Sequence, residues 1–229
     1  MFEVPTGVRP LDLSVLFGDA PAVAPLLLGA LVVEPVGGVV LRVIETEAYM
    51  ADDPAAHSFR GRTPRNSPMF LAAGRWYAYF VYGMHWCLNV VTGGEGDGQA
   101  VLLRAGVVVS GWPVVAQRRE VVVSADSGPR FESAAARAVD GPAKFASAVG
   151  VDARVSGKSC LRDEGTSGLW LGTDGVTLPL DRVTGRVGIS AGQDRLWRFC
   201  AAGAPRRSPE AALHPRQRNR KSATVEQLP

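Results

Sequence analysis

Residues Trp76 to Thr92 read WYAYFVYGMHWCLNVVT, two ring-rich apolar runs broken once, at Gly83-Met84. Aromatic and β-branched residues on both sides of a glycine-led dipeptide predict a β-hairpin that pairs Trp76–Tyr82 with His85–Thr92, and glycine in first place suits a type II′ turn. A plain two-residue turn sets Tyr82 opposite His85 and Tyr79 opposite Leu88, which leaves Asn89 on the face opposite Tyr79 unless a bulge shifts the register. The chain has only four tyrosines, and three lie here, with the fourth, Tyr49, a short way upstream. Phe or Leu would fill a core with less trouble, so phenol rings beside a turn suggest stacking on something flat.

Working outward, Val39 to Tyr49 alternates like a strand, with Leu41, Val43, Glu45, Glu47 and Tyr49 on one face. Leu41 and Val43 should face the core, so the two carboxylates are expected to point the same way. A carboxylate facing a core or cleft is costly unless paired or used. Asp19 to Val33 reads as a helix with Leu26, Leu27, Leu28 and Leu31 on its apolar side. Met50 to Gly74 is a loop bearing Pro, Arg and Ser, and Ala100 to Val109 is a buried strand. Trp112–Arg119 and Glu132–Val139 look helical, separated by a polar linker around Ser124–Pro129. Gly141–Val149 starts another helix with Pro142 in its first turn. Leu169–Val176 and Val187–Ser190 read as strands. The fold class expected is α+β, one domain over residues 1–204 with a mostly antiparallel sheet and helices around it.

Length and composition agree with one ordinary soluble domain: 229 residues, 46% apolar and 21% charged. The most apolar stretch, Val23–Val33, contains Pro25 and is too short to span a bilayer. No charged-then-apolar leader opens the chain, and Cys87, Cys160 and Cys200 are too few and too scattered for a disulfide framework or a zinc site, so a reducing, cytoplasmic setting is expected. Scarce lysine beside plentiful arginine reads as the codon bias of a GC-rich bacterial genome.

The net charge of +3 is unevenly spread. From Pro205 onward, Arg206, Arg207, Arg216, Arg218, Arg220 and Lys221 stand against Glu210 and Glu226, which gives a +4 tail and a body near −1. The tail, residues 205–229, is expected to be disordered; its charge could add affinity for a polyanion or simply keep the end soluble. Between Asp53 and Glu95 there is no acidic residue, yet Arg60, Arg62, Arg65 and Arg75 fall there with His57 and His85. Basic plus aromatic is the footprint of a nucleic-acid surface, although a solvated loop leading into a core hairpin has the same composition.

Two acids at i, i+2, Glu45 and Glu47, admit a glycosidase pair, a metal pair, or one structural and one catalytic group; an edge strand with both acids in water is the plain alternative. Tyr49 on the same face puts a ring beside a carboxylate. No H-x-E with P-C-x-x-C, P-loop, strand-linked G-x-G-x-x-G or G-x-S-x-G occurs. A metal site would have to be assembled from carboxylates and lone histidines, and none is expected.

IETEAY (44–49), AAHSFRGRTPRN (55–66), MF (69–70), YAYFVYGMHWCLNVV (77–91), GDGQAVLLRA (96–105), GPAK (141–144) and GRVGISAG (185–192) together resemble the alkyladenine (3-methyladenine) DNA glycosylase family, in order from about Leu11 to Phe199. The resemblance implies a curved sheet with a protruding hairpin, like a formyltransferase C-terminal domain. It implies a monomer that cuts the N-glycosidic bond of damaged purines flipped from duplex DNA, with no cofactor, metal or lyase step. Glu47 matches the general base that activates water, Arg104 the arginine beside that water, and the Val187 carbonyl a third water contact. Tyr49, His57 and Tyr79 match the walls that sandwich the flipped base, and Asn89 the residue that disfavours normal guanine. Tyr82 matches the wedge that fills the emptied duplex, with Met84 beside it, and Arg60, Arg62, Arg65 and Lys144 read as DNA contacts. Glu45 has no chemistry assigned.

The chain departs from the pattern at His85, where another aromatic is expected, and matches poorly from Glu120 to Arg137. Two other classes remain. One is a non-catalytic nucleic-acid-binding module, which would need no buried base. The other is a carbohydrate hydrolase using Glu45 and Glu47, whose Cβ atoms lie about 7 Å apart on a strand, beside a basic run that suits a polyanion better than a neutral sugar.

Overall fold

A computed structural model describes residues 4–123, 128–162 and 168–204; the basic tail and most of the linker at Ser124–Pro129 lie outside the described residues. The described residues form nine strands and four helices: β1 (Arg9–Pro10), α1 (Ala20–Leu26), β2 (Leu31–Glu34), β3 (Val39–Tyr49), β4 (Trp76–Val81), β5 (His85–Val91), β6 (Ala100–Ser110), α2 (Trp112–Arg118), α3 (Pro129–Ala138), α4 (Pro142–Ala148), β7 (Trp170–Thr173), β8 (Leu180–Thr184) and β9 (Arg198–Ala201). All strands join one open sheet in the order β1-β7-β2-β3-β6-β5-β4, and β9 pairs with β3 and β8. Every one of these pairings is antiparallel, which makes the class α+β. The eleven-residue β3 is the axis. One edge of it pairs with β6 along its length; the other pairs with β2 through its first half and with β9 through Glu45–Glu47. No described helix is long and apolar enough to cross a membrane.

The expected helix Asp19–Val33 is corrected: it stops at Leu26, and Leu31–Glu34 is strand β2. Gly29 makes the break, at φ 96°, where a Cβ would come within 2.6 Å of the Val176 carbonyl oxygen. Its N–H donates to Val43, folding the chain back against β3. A run buried at all four positions suits a strand paired on both sides, as β2 is with β3 and β7. The strand expected at Val187–Ser190 is not formed, whereas β8 and β9 on either side of it carried no clear alternation.

The hairpin exists with its register moved by one residue. Val81 pairs with His85, Tyr79 with Cys87 and Tyr77 with Asn89. The tip is Tyr82-Gly83-Met84, with positive φ at Tyr82 (56°) and Gly83 (70°) and the Met84 N–H donating to Val81. Two consecutive positive φ angles are those of a type I′ turn, so the expected type II′ turn is corrected. Tyr77, Tyr79, Cys87 and Asn89 consequently share one face, which removes the conflict between Tyr79 and Asn89.

The faces of β3 also differ from expectation. Against β6 the register breaks between Val43 and Glu45 and again between Glu45 and Thr46, leaving Ile44 and Arg104 as the unpaired extra residues. Before the break, Val39, Leu41 and Val43 enter the main core with Leu27, Leu88, Leu103 and Phe145. After it, Ile44 and Ala48 enter that core, and the Thr46 hydroxyl donates to Ala24 of α1. Glu45, Glu47 and Tyr49 thus turn away from the face of Leu41 and Val43. The face they reach holds a small cluster of Met69, Tyr77, Val91 and Ala100 beneath the 50–74 loop.

Candidate active site

Glu47 is fully buried and accepts three hydrogen bonds or ion pairs. Its Oε1 faces the Val187 N–H (2.8 Å) and Arg104 Nη1 (3.2 Å), and its Oε2 accepts from the Tyr49 hydroxyl (2.7 Å). Glu45, also buried, accepts on Oε1 from Arg104 Nε (2.8 Å) and Arg198 Nε (2.7 Å). Two carboxylates and two guanidiniums thus share a dry site without net charge, the condition under which buried ions are tolerated. Glu45 fixes the Arg104 side chain, and Arg104 turns its remaining edge to Glu47. Burial works against the Arg104 charge, but Glu47 and then Glu45 outweigh it and hold its pKa above the usual arginine value. Burial, reinforced by Glu47, pushes the Tyr49 phenol well above its ordinary range, so Tyr49 keeps its proton and is the donor to Glu47.

Above this network opens a pocket of about 290 Å³, at the small end of ligand sites. Tyr49, His57, Tyr79, Asn89, Arg104 and Val187 all line it, as do Tyr82 and His85 at the hairpin end. Glu47 lies one layer beneath the wall, behind Tyr49, Arg104 and Val187. His57 stands edge-on to Tyr79, with ring centroids 4.5 Å apart and planes at 80°, and its Nδ1 is 2.8 Å from the Tyr77 hydroxyl. Burial raises the Tyr77 pKa to about 12, so the phenol keeps its proton at this contact. Surrounding protein and then the Arg65 charge lower the His57 pKa, which favours the neutral ring. Burial likewise raises the Tyr79 pKa far above the usual phenol value. Asn89 donates from Nδ2 to the Tyr77 carbonyl, which fixes its amide against the pocket floor.

Of the remaining expected residues, Tyr82 alone touches the pocket, at its rim. Tyr82 is 82% exposed at the hairpin tip with Met84 beside it, and Arg60 and Arg62 are exposed on the loop. Arg65 ties that loop to the hairpin by donating to the Phe80 carbonyl. Lys144 is engaged with Asp140 and the Arg137 carbonyl and does not line the pocket.

Four participants were missed. Tyr77 becomes visible only with the corrected register. Cys87, buried beside Tyr79 on the facing strand, reads in the sequence as a scattered thiol. Arg198 and Arg186 are charges inside sequence-distant segments, and their only sequence signal is an arginine beside apolar or ring residues in LWRFC and GRVG.

The family model described as methylpurine-DNA glycosylase matches residues 14–205. Relatives in Nocardia farcinica (41% identical over 84% of this chain and 90% of the relative), Corynebacterium glutamicum (41%, 87% and 86%) and Streptomyces avermitilis (41%, 86% and 89%) carry the provisional name 3-methyladenine DNA glycosylase. With most of its described residues inside the match, the chain belongs to the methylpurine-DNA glycosylase family.

Proposed function

We propose that the chain is a monofunctional DNA glycosylase that takes alkylated or deaminated purines out of the duplex and hydrolyses their N-glycosidic bond, initiating base excision repair as a monomer in the bacterial cytoplasm. The observation that carries this reading is the Glu47 carboxylate, held by Arg104, Tyr49 and the Val187 N–H directly beneath a pocket walled by aromatic rings. A carboxylate has about four acceptor positions, and three are used here, so one is left for a water. Glu47 would take a proton from that water as it attacks the sugar C1′, and its charge would stabilise the oxocarbenium-like transition state. Arg104 and the Val187 carbonyl would fix the water from the pocket side.

The flipped base would lie between Tyr49 on one side and His57 and Tyr79 on the other. A desolvated cationic purine gains about 2 kcal/mol from such rings, and a neutral His57 adds no opposing charge. Asn89 on the pocket floor would disfavour the exocyclic amine of normal guanine. Tyr82, whose left-handed backbone projects its ring from the hairpin tip, would fill the vacated stack with Met84. Arg60, Arg62 and Arg65 would contact phosphates, giving salt-dependent affinity without sequence preference; Lys144, already paired, would contribute less. The glycosylase unit would be residues 1–204, in a formyltransferase C-terminal-domain-like arrangement, with 205–229 as a basic appendage.

The test is single-turnover release of free base from duplexes carrying 7-methylguanine, hypoxanthine or ethenoadenine, using wild type and Glu47→Gln. The expected outcome is release by wild type and a rate lower by about 10²- to 10⁴-fold in Glu47→Gln, with duplex affinity retained. Binding without release by both proteins would replace this reading with a non-catalytic binding module.

A further inference from the structure

We propose that Arg186 is a positioning residue that sets Glu47 and Tyr49 in register with each other; the proposal rests on the reading of Glu47 as the base. Arg186 is 2% exposed and joins three segments distant in sequence. Nη1 donates to the Ala48 carbonyl (3.0 Å), the residue between Glu47 and Tyr49. Both terminal nitrogens pair with Asp53 at the start of the pocket loop, and Nη2 donates to the Gly192 carbonyl (3.1 Å). The next residue, Val187, is the one whose N–H reaches Glu47 at 2.8 Å.

The guanidinium also packs against two rings. Its carbon lies 4.7 Å from the centroid of Tyr49 and 5.3 Å from that of Trp197, and the Arg195 guanidinium carbon lies 4.6 Å from the Trp197 centroid. Tyr49 therefore forms a pocket wall whose outer face is backed by Arg186. Trp197 is itself tied in, since its carbonyl accepts from the Ala48 N–H. The Arg186 Nε–H is buried without a hydrogen-bond partner among the described residues, so the site keeps the plate-like cation despite an unmet donor. Gly192 fits the same construction: at φ 62° it is left-handed, and a Cβ there would meet Asp53 Oδ1 at 2.7 Å and Arg186 Nη2 at 3.0 Å.

Lysine is a point charge on a flexible stem and reproduces neither the fork nor the plate. Arg186→Lys would thus let the Val187 N–H and the Tyr49 ring drift relative to Glu47, and displacements near 1 Å can cost on the order of a hundredfold in rate. The experiment is single-turnover base release from an ethenoadenine duplex at saturating enzyme. It records the rate constant, the amplitude, ethenoadenine fluorescence on flipping, duplex Kd and Tm, and Glu47→Gln is run beside it. The expected result is a rate constant lower by about ten- to a hundredfold with full amplitude, altered fluorescence of the flipped base and unchanged Kd. Because Arg186→Lys could leave Asp53 poorly paired and unfold the chain, the neutral pair Arg186→Gln/Asp53→Asn is measured as well. It keeps hydrogen bonds without a buried charge, and its rate constant should fall likewise. A wild-type rate constant with only lower amplitude or Tm, in whichever variant folds, would overturn the inference, because a merely structural residue changes the folded fraction and not the rate of folded molecules. Undiminished release by Glu47→Gln would instead remove the catalytic reading on which the inference rests, and the inference with it.

Discussion

The two halves of β3 carry the same alternation of side chains and do opposite work. Val39, Leu41 and Val43 fill the main core, whereas Glu45, Glu47 and Tyr49, continuing the same odd-numbered series, stand on the other face, where Tyr49 lines the pocket and the two acids lie beneath it. One extra residue, Ile44, separates the halves. A period-two pattern makes a one-residue slip exchange every side chain between faces, so a single bulge is enough to carry three polar groups out of the core without a break in the strand. A second bulge at Arg104 on β6 restores the register and brings the guanidinium to both carboxylates. Bulges beside active sites commonly re-aim side chains in this manner. The lesson is that a strand can be core and active site in turn, provided the change of face is localised.

Deleting Ile44 is the harshest way to break that arrangement. Restored alternation would send Glu45 and Glu47 towards α1, among Leu27, Phe145 and Leu103. Parting two buried carboxylates from their arginines costs about 3–5 kcal/mol each, comparable with the whole stability of a domain, about 5–15 kcal/mol. The expected outcome is loss of the cooperative thermal transition, followed by circular dichroism. A deletion variant that folds and still releases base would mean that β3 finds its faces from something other than the bulge.

Glu45→Gln sharpens the comparison within the second half. Glu45 is the counter-charge at the Nε atoms of both Arg104 and Arg198, and Arg198 is entirely buried. The substitution should cost about 3–5 kcal/mol, read as a lower urea midpoint. The rate constant of the folded fraction should fall less than in Glu47→Gln, because Arg104 keeps its contact with Glu47. The two acids would then separate cleanly: one change lowers stability, the other lowers rate. Equal loss of rate in both would assign them a shared chemical role and revive the paired-carboxylate reading.

Much of this was legible in the sequence, and the rest was hidden for identifiable reasons. Alternation marks β3, ring-rich runs around a glycine turn mark the hairpin, an apolar run marks β6, and Pro142 marks the start of α4. Local chemistry cannot report a register, because Tyr82-Gly83-Met84 and Gly83-Met84 both offer a glycine turn and only cross-strand packing chooses between them. The run Leu26–Val33 has the composition of a buried helix and of a buried strand alike, and it was settled by Gly29 meeting Val176, far along the chain. Among the residues of the pocket wall, Tyr49, His57, Tyr79, Asn89, Arg104 and Val187 carry a signal in the sequence, whereas Tyr77 and Cys87 do not. The supports Arg186 and Arg198, and Tyr77 in the wall itself, hold partners 20 to 153 residues away in sequence, a range at which no spacing rule operates.

The smallest effect concerns how dry the pocket face is compared with the sealed core face. His57 sits at the mouth, against Tyr77 and Tyr79, with Arg65 as the charge that faces it. Surrounding protein first, and Arg65 second, lower its pKa below the ordinary 6.5. A histidine that is harder to protonate when folded contributes stability that is complete above pH 6.5, where both states are neutral, and that is lost as pH falls through the lower folded value, because the unfolded chain takes up the proton first. His57→Gln should flatten that stretch of the stability curve. An NMR titration of the His57 ring should give a midpoint below 6.5, and Arg65→Gln should move it part of the way back, since Arg65 is the lesser cause. A midpoint at or above 6.5 in the wild type would mean that the ring is solvated like a surface histidine and carries charge near neutrality. It would then repel a cationic base, and the aromatic wall would favour neutral lesions.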